Sequence, residues 1–198
     1  MAINLKQKAS ISAVVAAMVA SIFAVEGGYV NNPKDPGGET NHGVTVSVAR
    51  SAGYIGSMKD LTKEDASNIY VQKYIVDPGF IRFETVSVPI MHKLVDSGVN
   101  VGPARPSRWF QESLNSLSRG GKDFPQIQVD GKVGPGTVGA YQALQKKRGK
   151  FKACTLTLKL LNAKQTGHYD GLKMSDFTVG WIDNRIDSNI DKACEGDR

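Results

Sequence analysis

The stretch "ASISAVVAAMVASIFAV", Ala9 to Val25, has no charged residue and constrains the fold more than any other part of the sequence. Its large apolar residues recur every three or four positions, as on one side of an α-helix. The opposite side carries only alanine and serine, where a surface helix would carry lysine or glutamate. Two interpretations stay open: a packed core helix, or an uncleaved, releasable membrane anchor. The stripe consists of Ile11, Val14, Val15, Met18, Val19, Ile22 and Phe23.

Glu26 continues the apolar stripe. It stands four residues after Ile22 and three after Phe23, so on a continuing helix its carboxyl group lies on the buried side. Burial disfavours the charged form and should raise the pKa of Glu26. A carboxyl group that keeps its proton near neutral pH can act as a general acid. The alternative is an acid at a helix end that faces water.

Glycine and proline dominate the loop after Glu26 and force the backbone into a compact path. Asp35 lies nine residues beyond Glu26 and Thr40 fourteen, so the loop can return both side chains towards the glutamate. Glycoside hydrolysis needs such a set, because one carboxyl protonates the leaving oxygen while a second group stabilises the cation or activates water. The alternative is a surface turn in which Asp35 caps the bend and Thr40 opens a strand.

The remaining pattern predicts a mainly α fold. Thr62, with Asp65 three residues later, predicts a helix N-terminus, and that helix should stop at Pro78-Gly79. Strand signals are few, so a small β-hairpin around residues 38–48, where "GVTVSVA" alternates, is the main β candidate. Further helices are predicted for residues 90–99, 106–117, 136–147, 155–163 and 175–190.

Composition and charge fit a folded protein, with 40% hydrophobic and 22% charged residues. The formal net charge of +6 favours polyanions such as nucleic acid, anionic membrane surfaces and envelope polymers, without choosing among them. The densest basic cluster, residues 146–152, lacks the interleaved aromatics of a single-strand binder. It is either a solvated helix end or an anion-binding patch.

The two cysteines, Cys154 and Cys194, show no metal-binding spacing. In an oxidising compartment they form a natural disulfide pair, closing a loop of about 40 residues and contributing roughly 4 kcal/mol. Two buried free thiols are the alternative. We expect no metal and no cofactor.

The loop motif "VEGGYVNNPKDPGGETNHGVT", Val25 to Thr45, resembles the signature of glycoside hydrolase family 108, whose phage members are endolysins that cut the bacterial wall as N-acetylmuramidases. Three later segments also resemble this family, in the same order. They are "LTKEDASNIYVQKYIVDPG" from Leu61, "VDSGVNVGPARPSRWFQESLN" from Val95, and "VDGKVGPGTVGAYQAL" from Val129, the last being similar to a C-terminal peptidoglycan-binding segment. The resemblance spans about residues 22–187 and implies a lysozyme-like fold with the hairpin beside the active cleft.

By this resemblance Glu26 is the catalytic acid. The order Glu, Asp, Thr is similar to the triad of smaller phage lysozymes, which implies that Asp35 and Thr40 position water; Thr45 is a rival for the hydroxyl role. Family members often have an aromatic pair where this chain has Tyr74-Ile75, which departs from the pattern.

Other residues are candidates for substrate contact. Aromatic rings can stack on sugars, and Asp96 and Asn100, one helical turn apart, can bind substrate or brace the cleft. The "DGKVGPGT" turn, residues 130–137, either contacts the wall or is a plain structural turn. The candidate substrate-binding residues are Tyr29, His42, Thr45, Asp96 and Asn100.

The resemblance implies a phage endolysin that hydrolyses the β-1,4 bond between N-acetylmuramic acid and N-acetylglucosamine, causing host lysis. Inversion is expected if the two carboxyl groups stand roughly 6.5 to 9.5 Å apart. One alternative is a lytic transglycosylase, which leaves an anhydro end. A more distant one is a noncatalytic protein that binds the wall or nucleic acid.

The predicted organisation comprises an apolar helix and signal-anchor candidate (residues 1–25), a catalytic lobe (10–97) and a helical, peptidoglycan-binding-like C-terminal lobe (98–198). The expected partners are peptidoglycan glycan strands and, through residues 9–25, the inner membrane. We expect a monomer that binds no nucleic acid. We expect it tethered and inactive at the host inner membrane and then released to the periplasm, or otherwise cytoplasmic with holin-dependent release.

Overall fold

The structure, a computed structural model, describes residues 12–23, 28–31 and 38–198. Glu26 and Asp35 therefore lie outside the described residues. The chain forms two compact units, residues 1–77 and residues 78–198. The predicted division into lobes at residues 97 and 98 stays a prediction.

The described part of the first unit contains three α-helices, α1 (Ala13–Phe23), α2 (Val46–Ser51) and α3 (Lys63–Val71), and a hairpin of β1 (Thr40–Asn41) and β2 (Val44–Thr45). A 3₁₀ helix covers Met58–Asp60, and a π-helical turn, Gln72–Val76, continues α3. The core comprises Val15, Met18, Val19, Val44, Ala49, Met58, Leu61, Ala66, Ile69, Tyr70 and Ile75.

Helix α1 buries three of the four described side chains of the predicted apolar stripe, and the fourth, Val14, is half-buried. Val15, Met18 and Val19 are buried, whereas the alanines of the opposite side are exposed, and α1 packs against α3. Ser12 accepts a hydrogen bond from the backbone N–H of Val15 at 3.2 Å and so caps the helix N-terminus. Within residues 12–23, 28–31 and 38–198, no helix is both long enough and apolar enough to cross a bilayer.

The hairpin is shorter than the sequence pattern predicted. Its two central residues, His42 and Gly43, have φ of 47° and 71°, the conformation of a tight turn that fits the twist of the flanking strands. The prediction of a hairpin that continues to residue 48 is wrong. The strand ends at Thr45 because its side chain accepts from the N–H of Val48 and begins helix α2.

The second unit is a helical bundle: α4 (Val88–Val101), α5 (Ala104–Leu117), α6 (Pro135–Arg148), α7 (Lys150–Gly171), α8 (Ser175–Arg185) and α9 (Ile190–Ala193). Two 3₁₀ helices, Phe80–Phe83 and Glu195–Asp197, flank it. Aromatic rings meet edge to face in its core, where the centroid of Phe83 lies 5.2 Å from that of Phe110 and 5.4 Å from that of Tyr141.

The C-terminal segment is held to the bundle by covalent and polar contacts. Cys154 of α7 and Cys194 form a disulfide, and both are fully buried. Asp197 accepts a hydrogen bond from the hydroxyl of Ser87. By contrast, α9 buries no residue, and α8 buries none of its described side chains. The tail therefore depends on the disulfide and on hydrogen bonds for its attachment.

The predicted fold class, mainly α with a small hairpin, is confirmed. Thr62 caps α3 as predicted, because its hydroxyl accepts from the N–H of Asp65 at 3.1 Å. Each predicted helix has a counterpart, although α7 is much longer than expected. The helix predicted for residues 175–190 is interrupted after Arg185 and resumes at Ile190.

Candidate active site

The hairpin holds Thr40 between two extended partners. Thr40 pairs with Thr45 across the hairpin, and its N–H and C=O each form a 2.8 Å hydrogen bond with Val30 on the other side. The hydroxyl of Thr40 is half-buried and lies 3.5 Å from the carbonyl oxygen of Gly38. The backbone at this candidate site is therefore fixed from both edges.

Two polar side chains anchor the hairpin to the rest of the first unit. The amide of buried Asn41 donates to the carbonyl of Met58 at 2.7 Å and to that of Leu61 at 3.4 Å. The hydroxyl of Tyr70 donates to the carbonyl of Gly43 at 2.9 Å. These bonds give the buried Asn41 amide its partners and fix the position of the hairpin against residues 58–61 and helix α3.

Thr45, the rival of Thr40, has a structural task. Its oxygen accepts from the N–H of Val48 at 3.4 Å, and it forms a 3.0 Å hydrogen bond with the hydroxyl of Ser47. An N-cap side chain is worth about 1 kcal/mol to its helix. Cap formation thus explains a threonine at this position without a role in catalysis.

Two other candidates of the first unit lie on its surface segments. His42 occupies a turn position with positive φ, where its backbone conformation shapes the hairpin. Tyr29 is half-buried, and the ammonium group of Lys59 lies 5.5 Å from the centroid of its ring. Substrate contact by either residue stays a prediction.

Asp96 and Asn100, in the second unit, both bind Arg185. The carboxylate of Asp96 accepts from the Arg185 guanidinium at 3.1 Å, and the amide oxygen of Asn100, in the orientation that satisfies the donors around it, accepts from the same group at 2.7 Å. Beside them, the ammonium of buried Lys93 donates to the carbonyl of Arg185 at 2.9 Å and lies 3.5 Å from Asp187. Burial lowers the pKa of Lys93, and the nearby Asp187 and Asp96 oppose that shift. Asp96 and Asn100 thus brace the end of α8 against α4.

The "DGKVGPGT" turn is attached to α5 by Gln111, a residue that the sequence analysis missed. The Gln111 amide donates to the Asp130 carboxylate at 2.7 Å and to the Lys132 carbonyl at 3.0 Å, and it accepts from the N–H of Gly131 at 2.9 Å. The hydrogen bond from Gln111 is the main reason why the pKa of Asp130 is lowered. This arrangement gives the turn a structural role in the bundle.

The basic cluster at residues 146–152 is partly neutralised. Arg148 donates to the carboxylate of Asp123 at 2.5 Å, and the ammonium of Lys147 lies 3.9 Å from it. The Asp123 side chain is only 3% exposed. Cations also suit the C-terminus of α6, where the helix dipole is negative. These contacts favour the helix-end interpretation over a free anion patch.

The mainly helical body with a short anchored hairpin is compatible with a lysozyme-like fold, and comparison with known proteins gives the class. Residues 19–102 match the Glycosyl hydrolase 108 family, and residues 105–186 match a Predicted Peptidoglycan domain. The solved structure of SagA from Brucella abortus is similar with a TM-score of 0.66 and 26% sequence identity, covering 92% of this chain and 94% of that one. No curated protein matches this chain.

The chain is therefore a glycoside hydrolase acting on peptidoglycan. The resemblance to glycoside hydrolase family 108 noted in the sequence is confirmed by the match over residues 19–102, and the match to a peptidoglycan domain follows it. The noncatalytic alternative does not fit this finding. The catalytic roles of Glu26, Asp35 and Thr40 stay predictions from that resemblance.

Proposed function

We propose that this protein is a phage endolysin that hydrolyses the β-1,4 bond between N-acetylmuramic acid and N-acetylglucosamine and so lyses the host cell. The observation that carries the proposal is the order of the two family matches, a glycosyl hydrolase 108 domain followed by a peptidoglycan domain. One chain thus combines an enzyme for glycosidic bonds with a module for the polymer that contains them.

In the proposed mechanism, Glu26 donates a proton to the leaving oxygen, while Asp35 and Thr40 hold water on the opposite face of the sugar. The structure supports Thr40 over Thr45 for the hydroxyl role. Thr40 is held rigidly by backbone bonds on both sides, whereas the oxygen of Thr45 serves as a helix cap. A rigid backbone suits a catalytic group because small displacements reduce the rate strongly.

Water held opposite the acid implies inversion at the anomeric carbon. This outcome requires the two carboxyl groups to stand roughly 6.5 to 9.5 Å apart, leaving space for the water molecule. A lytic transglycosylase would also use Glu26 as its acid, but its product has an internal anhydro bond and lacks the added water.

We also propose that residues 9–25 first hold the enzyme inactive at the inner membrane, and that it works in the periplasm after its release. Holin-dependent release from the cytoplasm is the alternative route. The disulfide supports an oxidising compartment, since such bonds persist outside the reducing cytosol. The helix before Glu26 would then serve both as anchor and as support for the acid. Removal of residues 1–25 should abolish wall hydrolysis as well as export, and full activity of the truncated protein would refute the shared-helix proposal.

The function is tested by clearing of purified cell-wall sacculi, followed as loss of turbidity. We expect Glu26→Gln to reduce the rate by at least about 10³-fold, because the general acid is lost. The matched control is Glu195→Gln, the same substitution at an exposed residue of the second unit. Circular dichroism should show the same helix content in both variants. Rapid clearing by Glu26→Gln would remove this residue from the mechanism.

A further inference from the structure

An open cavity lies at the turn between α4 and α5, in the second unit. It has a volume of about 430 Å³ and is lined by Val101, Gly102, Pro103, Ala104, Arg105 and Arg108. Gly102 has a φ of 80°, a conformation that favours glycine and lets the chain reverse direction between the two helices. We refer to this space as the α4–α5 cavity.

The positive charges beside the cavity are not neutralised by any acidic side chain among the described residues. Arg105 and Arg108 are exposed and lie three residues apart, on the same side of α5. Among residues 12–23, 28–31 and 38–198, no carboxylate forms an ion pair with either. The first turn of α5 also contains no acid. Because the positive end of the helix dipole lies here, cations are unfavourable at this place.

Both guanidinium groups are nevertheless held in position. Arg108 donates to the carbonyl of Val129 at 3.0 Å, and the backbone of Gly131 approaches so closely that an added Cβ would lie 3.2 Å from Nε of Arg108. Nη1 of Arg105 lies 2.8 Å from Nδ1 and 2.7 Å from Nε2 of His168, and the unprotonated one of these two ring nitrogens accepts its hydrogen bond. Burial, and after it the Arg105 charge, lowers the pKa of His168, which favours the neutral ring that can accept this bond. The two arginines are therefore oriented before any ligand binds.

We propose that the α4–α5 cavity binds a carboxylate of the peptide stems of peptidoglycan through Arg105 and Arg108. This inference rests on the proposed function, in which peptidoglycan is the substrate. Guanidinium groups bind carboxylates in a bidentate manner, and prior orientation reduces the entropy that binding costs. In the intact wall the lactyl carboxyl of muramic acid is joined to the peptide as an amide, so the free carboxylates belong to the peptides.

Binding of the full chain to purified sacculi, measured by co-sedimentation, tests the proposal. All proteins carry Glu26→Gln so that the polymer stays intact. The test variant adds Arg105→Gln and Arg108→Gln, and the control adds Arg82→Gln and Lys159→Gln, which remove the same charge from exposed positions of the same unit. We expect the test variant to bind about tenfold more weakly than the control.

Chemical treatment of the sacculi identifies the ligand group. After carbodiimide and ammonia convert the carboxyl groups to amides, the test and control variants should bind equally. An amidase that removes the stems and exposes the lactyl carboxylates should have the same effect. Equal binding to untreated sacculi would overturn the proposal. A difference between the two variants that persists on amidated sacculi would also overturn it, because the arginines would then act through general charge. A difference that persists on stem-free glycan would overturn it as well, because the arginines would then bind the lactyl carboxylate of muramic acid.

A lysine variant and a measurement of helix content separate this proposal from folding defects, and the turbidity assay separates it from failure of the proposed function. Arg105→Lys with Arg108→Lys keeps the charge but not the bidentate fork, and should show a partial loss of binding. An unchanged affinity in this variant would overturn the bidentate site. Circular dichroism should show the same helix content in the test and control variants, and a loss of helix in the test variant alone would overturn the binding interpretation. An error about Glu26 would appear as clearing of the sacculi by the Glu26→Gln protein, whereas an error about the arginines would appear as equal binding of the test and control variants.

Discussion

The disulfide between Cys154 and Cys194 should determine the stability of the C-terminal segment. We consider its removal by alanine at both positions, because alanine leaves no buried hydroxyl without a partner. Both cysteines are fully buried, and the bond closes a segment with a sequence separation of 40 residues. Helices α8 and α9 lie within this segment and contribute little burial of their own. The covalent link is therefore the main restraint on their attachment.

The expected magnitude follows from the length of the closed segment. In the chain-entropy model, a link across 40 residues stabilises the native state by about 4 kcal/mol, since it restricts the unfolded chain. For a protein of this length, that loss lowers the melting temperature by about 10 °C. Local unfolding should be most frequent in residues 175–198. Without the disulfide, this segment is attached to the bundle by its hydrogen bonds with Lys93, Asp96 and Ser87.

Thermal unfolding with and without reductant measures the effect, and hydrogen exchange locates it. We expect the alanine variant in either buffer, and the native protein in reductant, to melt at the same lowered temperature. Amide exchange should accelerate in α8 and α9 before it does in α5 or α6. A fall in stability below about 1 kcal/mol, or exchange that accelerates uniformly, would contradict the restraint described here.

Three smaller perturbations test particular contacts. Gly79→Ala should reduce stability by at least about 1 kcal/mol more than Gly120→Ala in urea unfolding, since both have positive φ but only at Gly79 would the Cβ meet a carbonyl oxygen, at 2.0 Å. Asp197→Asn should be more stable than the native protein at pH 7 and equal to it at low pH. Burial raises the pKa of Asp197 above its ordinary value of 3.8, while the hydrogen bond from Ser87 opposes the shift. The protonated side chain therefore stabilises the fold fully below pH 3.8. This stabilisation is lost as the pH rises through the pKa that Asp197 has in the folded protein. A stability difference that is independent of pH would disprove that linkage. Gln111→Leu should cost about 2–3 kcal/mol, because the polar groups of its turn lose their partner, and unchanged stability would show that the turn does not need it.

Local sequence signals predicted most of the helices of this fold. Thr62 and Asp65 lie three residues apart, so the cap they form is decided within one turn of chain. The same holds for the buried stripe of α1. The length of β2 was predicted wrongly because alternation at residues 43–49 also fits a helix that begins after Thr45. Its hydroxyl, rather than the hydrophobic pattern, decides where that strand ends.

The resemblance to a known family supplied candidate residues for the site. It did not predict the roles of residues whose partners lie far away in the sequence. Asp96 and Asn100 share a helical face, which the sequence indicates, but their partner Arg185 lies 89 residues beyond Asp96. Gln111 and Arg108 bind a turn about 20 residues later in the chain, and no local pattern predicts that contact. Tertiary contacts of this kind become visible only in the folded chain.

The most direct test of the central claim is the structure of the sugar ends after digestion of sacculi in water labelled with heavy oxygen. Mass spectrometry of the fragments should show reducing N-acetylmuramic acid ends that each carry one labelled oxygen, and no such ends with Glu26→Gln. Anhydro ends without label, or labelled N-acetylglucosamine ends, would contradict hydrolysis at the muramic acid bond.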